Sequence, residues 1–290
     1  MPSSTRASDT PEAERARRRR IRRLRLLTPA AVVGVVAALA VLAPALTAYG
    51  PEAIDPRLRM ALPSLTHPLG TDEFGRDILS RLAFGARITL VVSVASIAGA
   101  AGIGTLLGSA AAYLGGIGDL VVMRIADGLL SFPPILLAIL VITFLGPSVV
   151  NVILVIGLLY VPRFARVAHA ATLSVRETEY VAAAKAQGAP TARILRRDIL
   201  PNIAAPLFVQ ASLALGHAIL LESGLSFLGL GPPPPAPSWG RMIEQSSRFM
   251  SLSVWPVVWP AAVVSGTVLA FNLLGDALRD LLDPRLRGSV

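Results

Sequence analysis

The chain is 290 residues long, with 53% hydrophobic and only 16% charged residues, and its mean hydropathy is +0.64. Soluble domains carry about 25% charged residues, so that class is excluded. The net charge of +9 does not point to nucleic acid, because Lys and Arg gather beside apolar runs rather than in one patch.

The absence of cysteine rules out disulfide frameworks and zinc–thiolate sites. His67, His169 and His217 lie far apart without HExxH spacing, which argues against a metal enzyme. Uncharged runs cover 28–49, 88–118, 128–162, 203–221 and 249–275. A helical span needs about 20 apolar residues, and only helices or closed barrels satisfy their backbone in hydrocarbon. These runs are too long and continuous for barrel strands. The fold class is therefore all-α and polytopic.

In chain order, residues 1–27 form a basic tail with Arg15, Arg17 to Arg20, Arg22, Arg23 and Arg25. Ala43-Pro44-Ala45 resembles a signal cleavage site, but a signal h-region runs about 7–15 residues and 28–49 is longer. An uncleaved first span is expected, with its N-terminus inside. Residues 28–86 then comprise this span and an extracytoplasmic segment. Residues 87–276 should hold five further spans, and 277–290 a second cytoplasmic tail. Span two is expected from Arg87 to about Tyr113, span three from near Asp119 to Gly146-Pro147, and span four from there to Pro162.

Charge settles the ambiguous stretch 128–162. Two crossings there put 20 Lys and Arg inside and 7 outside, as the positive-inside rule requires. Both termini are then cytoplasmic and six spans result. Span five is expected at 203–221 and span six at 252–275, with Trp255 and Trp259 as interfacial anchors.

The largest inner loop, about 176–201, reads as two short helices. Glu179 opens the first, Gly188 ends it, and Pro190 starts a second that stops before Pro201. Its Ala183, Ala184, Gly188, Leu200 and Pro201 resemble the Glu-Ala-Ala…Gly…Leu-Pro motif of ABC importer permeases, although Ala182 stands where the family carries an acid. Two further segments are similar to the dipeptide/oligopeptide/nickel permeases, in their "C" subunit. One is His67-Pro-Leu-Gly70-Thr71-Asp72-Glu-Phe-Gly75-Arg76-Asp77-Ile-Leu-Ser-Arg81. The other is Glu222-Ser-Gly224-Leu-Ser-Phe-Leu-Gly-Leu-Gly, followed by Pro-Ser-Trp239-Gly240. Arg124 to Asp127 and the tail from Asp283 to Arg287 match as well.

The resemblance implies the type I importer permease fold in the cytoplasmic membrane of a prokaryote. It also implies a second homologous permease, two ATPase subunits and an extracytoplasmic solute-binding protein as partners, beside the bilayer itself. Glu179, Ala182, Ala183, Ala184, Gly188, Leu200, Pro201 and Asn202 would form the ATPase-coupling loop. ATP and Mg would sit on the partners, with no cofactor, metal or nucleic acid on this chain. The single lysine, Lys185, precedes Ala186, so no Walker A sequence exists.

For 67–77, a turn network of Gly and Asp at the outer membrane surface is favoured over a metal or substrate site with His67, and docking of the binding protein is its functional option. Arg124 and Asp127, i,i+3 on one helix, are read as a local pair, and Gly104 to Gly108 as a close-packing stripe. The implied cargo is a di- or oligopeptide, with nickel chelates or another small solute as the alternative. A secondary transporter would need coupling charges and repeated halves, and the sequence offers few of the former and none of the latter.

The topology is checked by labelling. With no native cysteine, Lys185→Cys supplies one reporter, which should react with an impermeant maleimide only after the inner face is opened. Labelling in intact cells would refute the six-span arrangement.

Overall fold

A computed structural model describes residues 11–282, with side chains described from Leu26 onward. Ten α-helices follow one another: α1 (Pro11–Leu46), α2 (Ile78–Leu114), α3 (Gly116–Leu130), α4 (Pro134–Leu145), α5 (Val149–Arg176), α6 (Glu179–Ala186), α7 (Thr191–Ile194), α8 (Ala204–Phe227), α9 (Trp239–Ser247) and α10 (Trp255–Leu282). A 3-10 turn at Pro56–Leu58 and a π-helical turn at Leu195–Ile199 complete the set.

Five helices are long and apolar enough to cross a membrane, at Leu26–Leu46, α2, α5, α8 and α10. The sixth candidate is α3 with α4, bent by 92°. The all-helical, polytopic reading therefore holds, but span three is not a straight rod. Ser131-Phe132-Pro133-Pro134 breaks it, because proline lacks a backbone N–H and disfavours helix in the residue before it. Pro134 then serves as the first residue of α4.

Several boundaries differ from expectation. Span two begins at Ile78, not after Arg87. Asp77 caps α2 by accepting from Ser80 N at 2.7 Å, so Arg87 lies inside the helix and is exposed. Span four does not end at Pro162: α5 runs 28 residues and continues through a buried Pro162. Helix α1 starts at Pro11, inside the segment read as a tail, and α10 runs seven residues beyond Gly275 to Leu282. The matching Asp283 to Arg287 lies outside the described residues. Arg124 does not pair with Asp127; the Asp127 partner is Arg166 on α5, at 3.2 Å. His217 is exposed on α8, with its ring at 2.8 Å from Leu213 O.

The centre of the bundle is the α2–α5 pair. Its core joins Val92 and Ile97 of α2, Ala138 and Ile142 of α4, Val152, Ile156 and Phe164 of α5, and Ala214 and Leu225 of α8. A second cluster packs α1 and α10 on the other side, through Val36, Ala40, Val264 and Phe271 against Ile78, Ile219 and Trp239. The glycine stripe sets the α2–α5 approach. A Cβ on Gly104 would lie 2.5 Å from Val161 O, and one on Gly108 2.1 Å from Ala165 O. Beyond α2 the chain turns on Gly115 and Gly116, at φ +69 and +68 with open space around both.

Overpacking a tight contact costs about 1–3 kcal/mol. Gly108→Ala should therefore lower the melting temperature in detergent, whereas Gly99→Ala, with nothing within 4 Å of its Cβ, should not. Equal stability of the two variants would show that the close approach is not required.

Candidate functional site

Helix α2 contains 37 residues, or ~55 Å at 1.5 Å per residue. Its first turn lies in a polar cap and its last turn lies against the 176–203 loop, so these two regions occupy opposite ends of the bundle. Each end holds one of the two groups of residues singled out from sequence.

The loop end is built on a small apolar core. Ala168 of α5, Val181 of α6, Ile194, Ile199 and Ile203 are buried together, with Ala184 and Leu200 packed on them. Val181 faces inward, so Tyr180, Ala182, Ala183, Lys185 and Ala186 face out. Ala183 is thus exposed, while Ala184 packs on the small core and helps to seat the helix. The absent acid at Ala182 falls on the exposed face, where no contact within this chain depends on it.

Gly188 adopts φ +74. Its N–H donates to Lys185 O at 3.0 Å and Ala189 N–H donates to Ala184 O at 3.1 Å, which ends α6 in the left-handed geometry that favours glycine. Pro201 and Asn202 lie in the exposed turn into α8, and Asn202 Nδ2 donates to Asp198 O at 2.7 Å. The loop is tied to α2 twice. Arg176 Nη1 donates to Ala112 O at 2.5 Å, and Lys185 Nζ stands 5.0 Å from the Tyr113 ring centroid. Glu179 is exposed in the first turn of α6, where a negative charge suits the helix dipole.

The cap end gathers 49–81 and α9. Asp72 is its hub. Asp72 Oδ1 accepts from the N–H groups of Phe74 and Arg76, both at 2.9 Å. Its Oδ2 takes Arg76 Nε at 2.6 Å and Arg81 Nε at 3.3 Å. Asp77 Oδ1 stands 2.9 Å from His67 Nδ1, and the His67 ring stacks on Tyr49 at 4.6 Å. Thr71 bridges to Asp77 across the turn and donates to Leu58 O. Gly70 and Gly75 both have positive φ. A Cβ on Gly75 would come within 1.8 Å of Asp55 O, and one on Gly70 within 2.5 Å of Ala61 O.

Long-range bonds dock α9 on this turn. Glu73 Oε2 accepts from Ser246 Oγ at 3.1 Å, and Gln245 Oε1 accepts from Arg76 at 3.3 Å and Arg81 at 3.4 Å. Sequence reading put Asp72 and Arg76 among the site residues but left out Glu73, Arg81, Gln245 and Ser246. Neighbouring matches in the 67–81 segment could have flagged the first two. The others lie more than 160 residues away in sequence, where no local signal reaches.

The second matched segment lies between cap and bundle. Trp239 is fully buried and donates from Nε1 to Leu82 O at 3.0 Å. Gly240 lets α9 lie on α8, since its Cβ would meet Ser223 O at 2.0 Å. Glu222 is fully buried and accepts from Thr89 Oγ1 at 2.8 Å and Ser226 Oγ at 2.7 Å, which joins α2 to α8. Gly224 has ordinary contact with Ile135 only.

This combination of a helical bundle, a short exposed α6 and a closed polar cap coincides with a family match. Residues 104–288 fit the model of the binding-protein-dependent transport system inner membrane component. The chain belongs to that family. This permease is similar to the dipeptide transport system permease protein DppC of Alkalihalophilus pseudofirmus, with 44% identity over 245 residues, covering 84% of this chain and 81% of the relative. It is 40% identical to the probable D,D-dipeptide transport system permease protein DdpC of Escherichia coli over 246 residues, or 85% and 83% of the two chains. The glutathione transport system permease protein GsiD of Pectobacterium atrosepticum is 42% identical over 225 residues, or 78% and 75%. The permease is thus an inner membrane component of a bacterial ABC transport system.

The cap geometry makes a sharp demand on Gly75. Gly75→Ala adds a Cβ where a backbone oxygen already lies at a φ that disfavours side chains. It should open the cap to trypsin at Arg57 and Arg59, whereas Leu65→Ala, on an exposed tip, should leave digestion unchanged. Equal resistance of Gly75→Ala and the parent chain would show that the cap tolerates rearrangement.

Proposed function

We propose that this permease is one of two membrane subunits of an ATP-driven, binding-protein-dependent importer of di- and oligopeptides. Both termini and the 176–201 loop face the cytoplasm, and the cap faces outward. The loop docks on an ATPase subunit through the exposed face of α6, and the cap receives the solute-binding protein. ATP and Mg are held by the ATPases, so this chain hydrolyses nothing itself. The peptide cargo is supported by three relatives named for dipeptides or glutathione at 40–44% identity.

One observation carries the coupling role: α6 presents small side chains outward while its inward Val181 fixes it to a core shared with α5 and α8. A short helix of this kind fits a cleft in a partner, because Ala182, Ala183 and Ala186 allow close approach. Movement of that partner is then passed to α5 through Ala168 and to α2 through the Arg176 and Lys185 contacts.

Gly188→Val tests this reading. Nothing lies within 4 Å of the Gly188 Cβ position, so the change strains only the backbone that ends α6, and the subunit should still insert. ATP-dependent uptake of a labelled dipeptide in reconstituted vesicles should be lost and ATPase co-purification weakened. Ala182→Glu, on the exposed face, should transport normally. Normal uptake by Gly188→Val with the ATPases still bound would remove the coupling role from this loop.

A further inference from the structure

The second half of the 176–203 loop carries a feature that the docking of α6 does not use. Arg193, Arg196 and Arg197 line a concave groove of about 640 Å³ together with Ala192. All three arginines are exposed. Among the described residues, none of them is in an ion pair or a side-chain hydrogen bond. Among the described residues, no acid nearby forms an ion pair with them. Glu177 pairs with Arg176 at 2.9 Å, and Asp198 is half-buried beside the turn into α8.

The backbone explains how three cations reach one side. Leu200 N–H bonds to Leu195 O at 2.9 Å, an i to i+5 link that defines the π-helical turn. Ile194 and Ile199 are five residues apart, yet both are buried in the same small core. An α-helix, at 3.6 residues per turn, would rotate one of them away. The extra residue of the π turn brings both inward and leaves Arg193, Arg196 and Arg197 outward. π turns of this kind are rare and are frequently found at functional sites.

We propose that this groove is the electrostatic half of the ATPase interface and that it receives acidic side chains bordering the cleft that holds α6. The inference rests on the reading of α6 as the docking helix. The groove is continuous with that helix through the Gly188 turn. The outward alanines of α6 give close fit, and its two exposed charges, Glu179 and Lys185, are opposite in sign, so net attraction for acidic groups comes from the arginine flank. Guanidinium groups suit this task, because their planar donors match carboxylates two at a time.

The test measures binding of purified ATPase subunits to the full permease in neutral detergent across a salt series. Parent permease should bind more weakly as salt rises. The triple variant Arg193→Gln/Arg196→Gln/Arg197→Gln should bind about tenfold more weakly at low salt, with a flatter salt response. The triple lysine variant should keep the salt slope but lose part of the affinity, because an ammonium cannot match a carboxylate with two planar donors. Parent-like binding and slope in the glutamine variant would overturn the inference. An effect seen only in nanodiscs of anionic lipid, and absent in neutral detergent, would also overturn it and assign the groove to lipid phosphates. Ala183→Trp separates the two levels. If it abolishes binding while the glutamine variant does not, α6 docking stands and the acidic contact falls. If the parent permease does not bind the ATPases at all, the docking reading itself fails.

Discussion

The close approach of α2 and α5 is the contact on which the rest of the molecule depends. In hydrocarbon there is no hydrophobic drive between helices, so close van der Waals packing must hold them together. Gly104 and Gly108 provide it by letting backbone meet backbone at Val161 O and Ala165 O. The α4 and α8 core residues then pack around this pair. The same pairing brings the end of α5 beside the end of α2, where Ala112 and Tyr113 meet Arg176 and Lys185. Without it, the loop would have no fixed position relative to the bundle.

The two ends of the bundle are held by different chemistry. The cap is closed by buried, paired charges, in which Asp72, Glu73, Asp77, Arg76 and Arg81 each have partners. Removing one member of such a set costs about 3–5 kcal/mol, because the other is left charged and buried. The loop end is held instead by a few isoleucines and a valine, with its polar groups left outside. One end is therefore specified by hydrogen-bond geometry and closed to substitution. The other keeps an exposed surface of small residues and free cations that remain available for contact.

Much of this was legible in the chain. The uncharged runs located the spans because burial in lipid selects composition directly. Gly188 was readable as a helix end because glycine followed by Ala-Pro leaves few other conformations, and its φ agrees. The 92° bend of α3 and α4 was not read, although Pro133-Pro134 stands in plain sight. Charge counting measures whether a segment can enter the membrane, not whether it is straight. Helix α9 was hidden because nine residues with a mixed surface resemble an outer loop. Asp127 was assigned to Arg124 because only local spacing can be seen in sequence, whereas its partner Arg166 arrives with α5. Gln245 and Ser246 were missed for the same reason: they join the cap only after the chain has returned from four further spans.

The 37 residues of α2 run from Ile78 in the cap to Leu114 beside the loop without a break. Its far joint is Gly115 and Gly116, at positive φ with open space around both, and a rod of this length would pivot there as a lever. Over ~55 Å, each degree of tilt about the loop end moves the cap end by roughly 1 Å. A few degrees of rocking, well within what a glycine joint absorbs, therefore displaces the cap by the width of an atom or more.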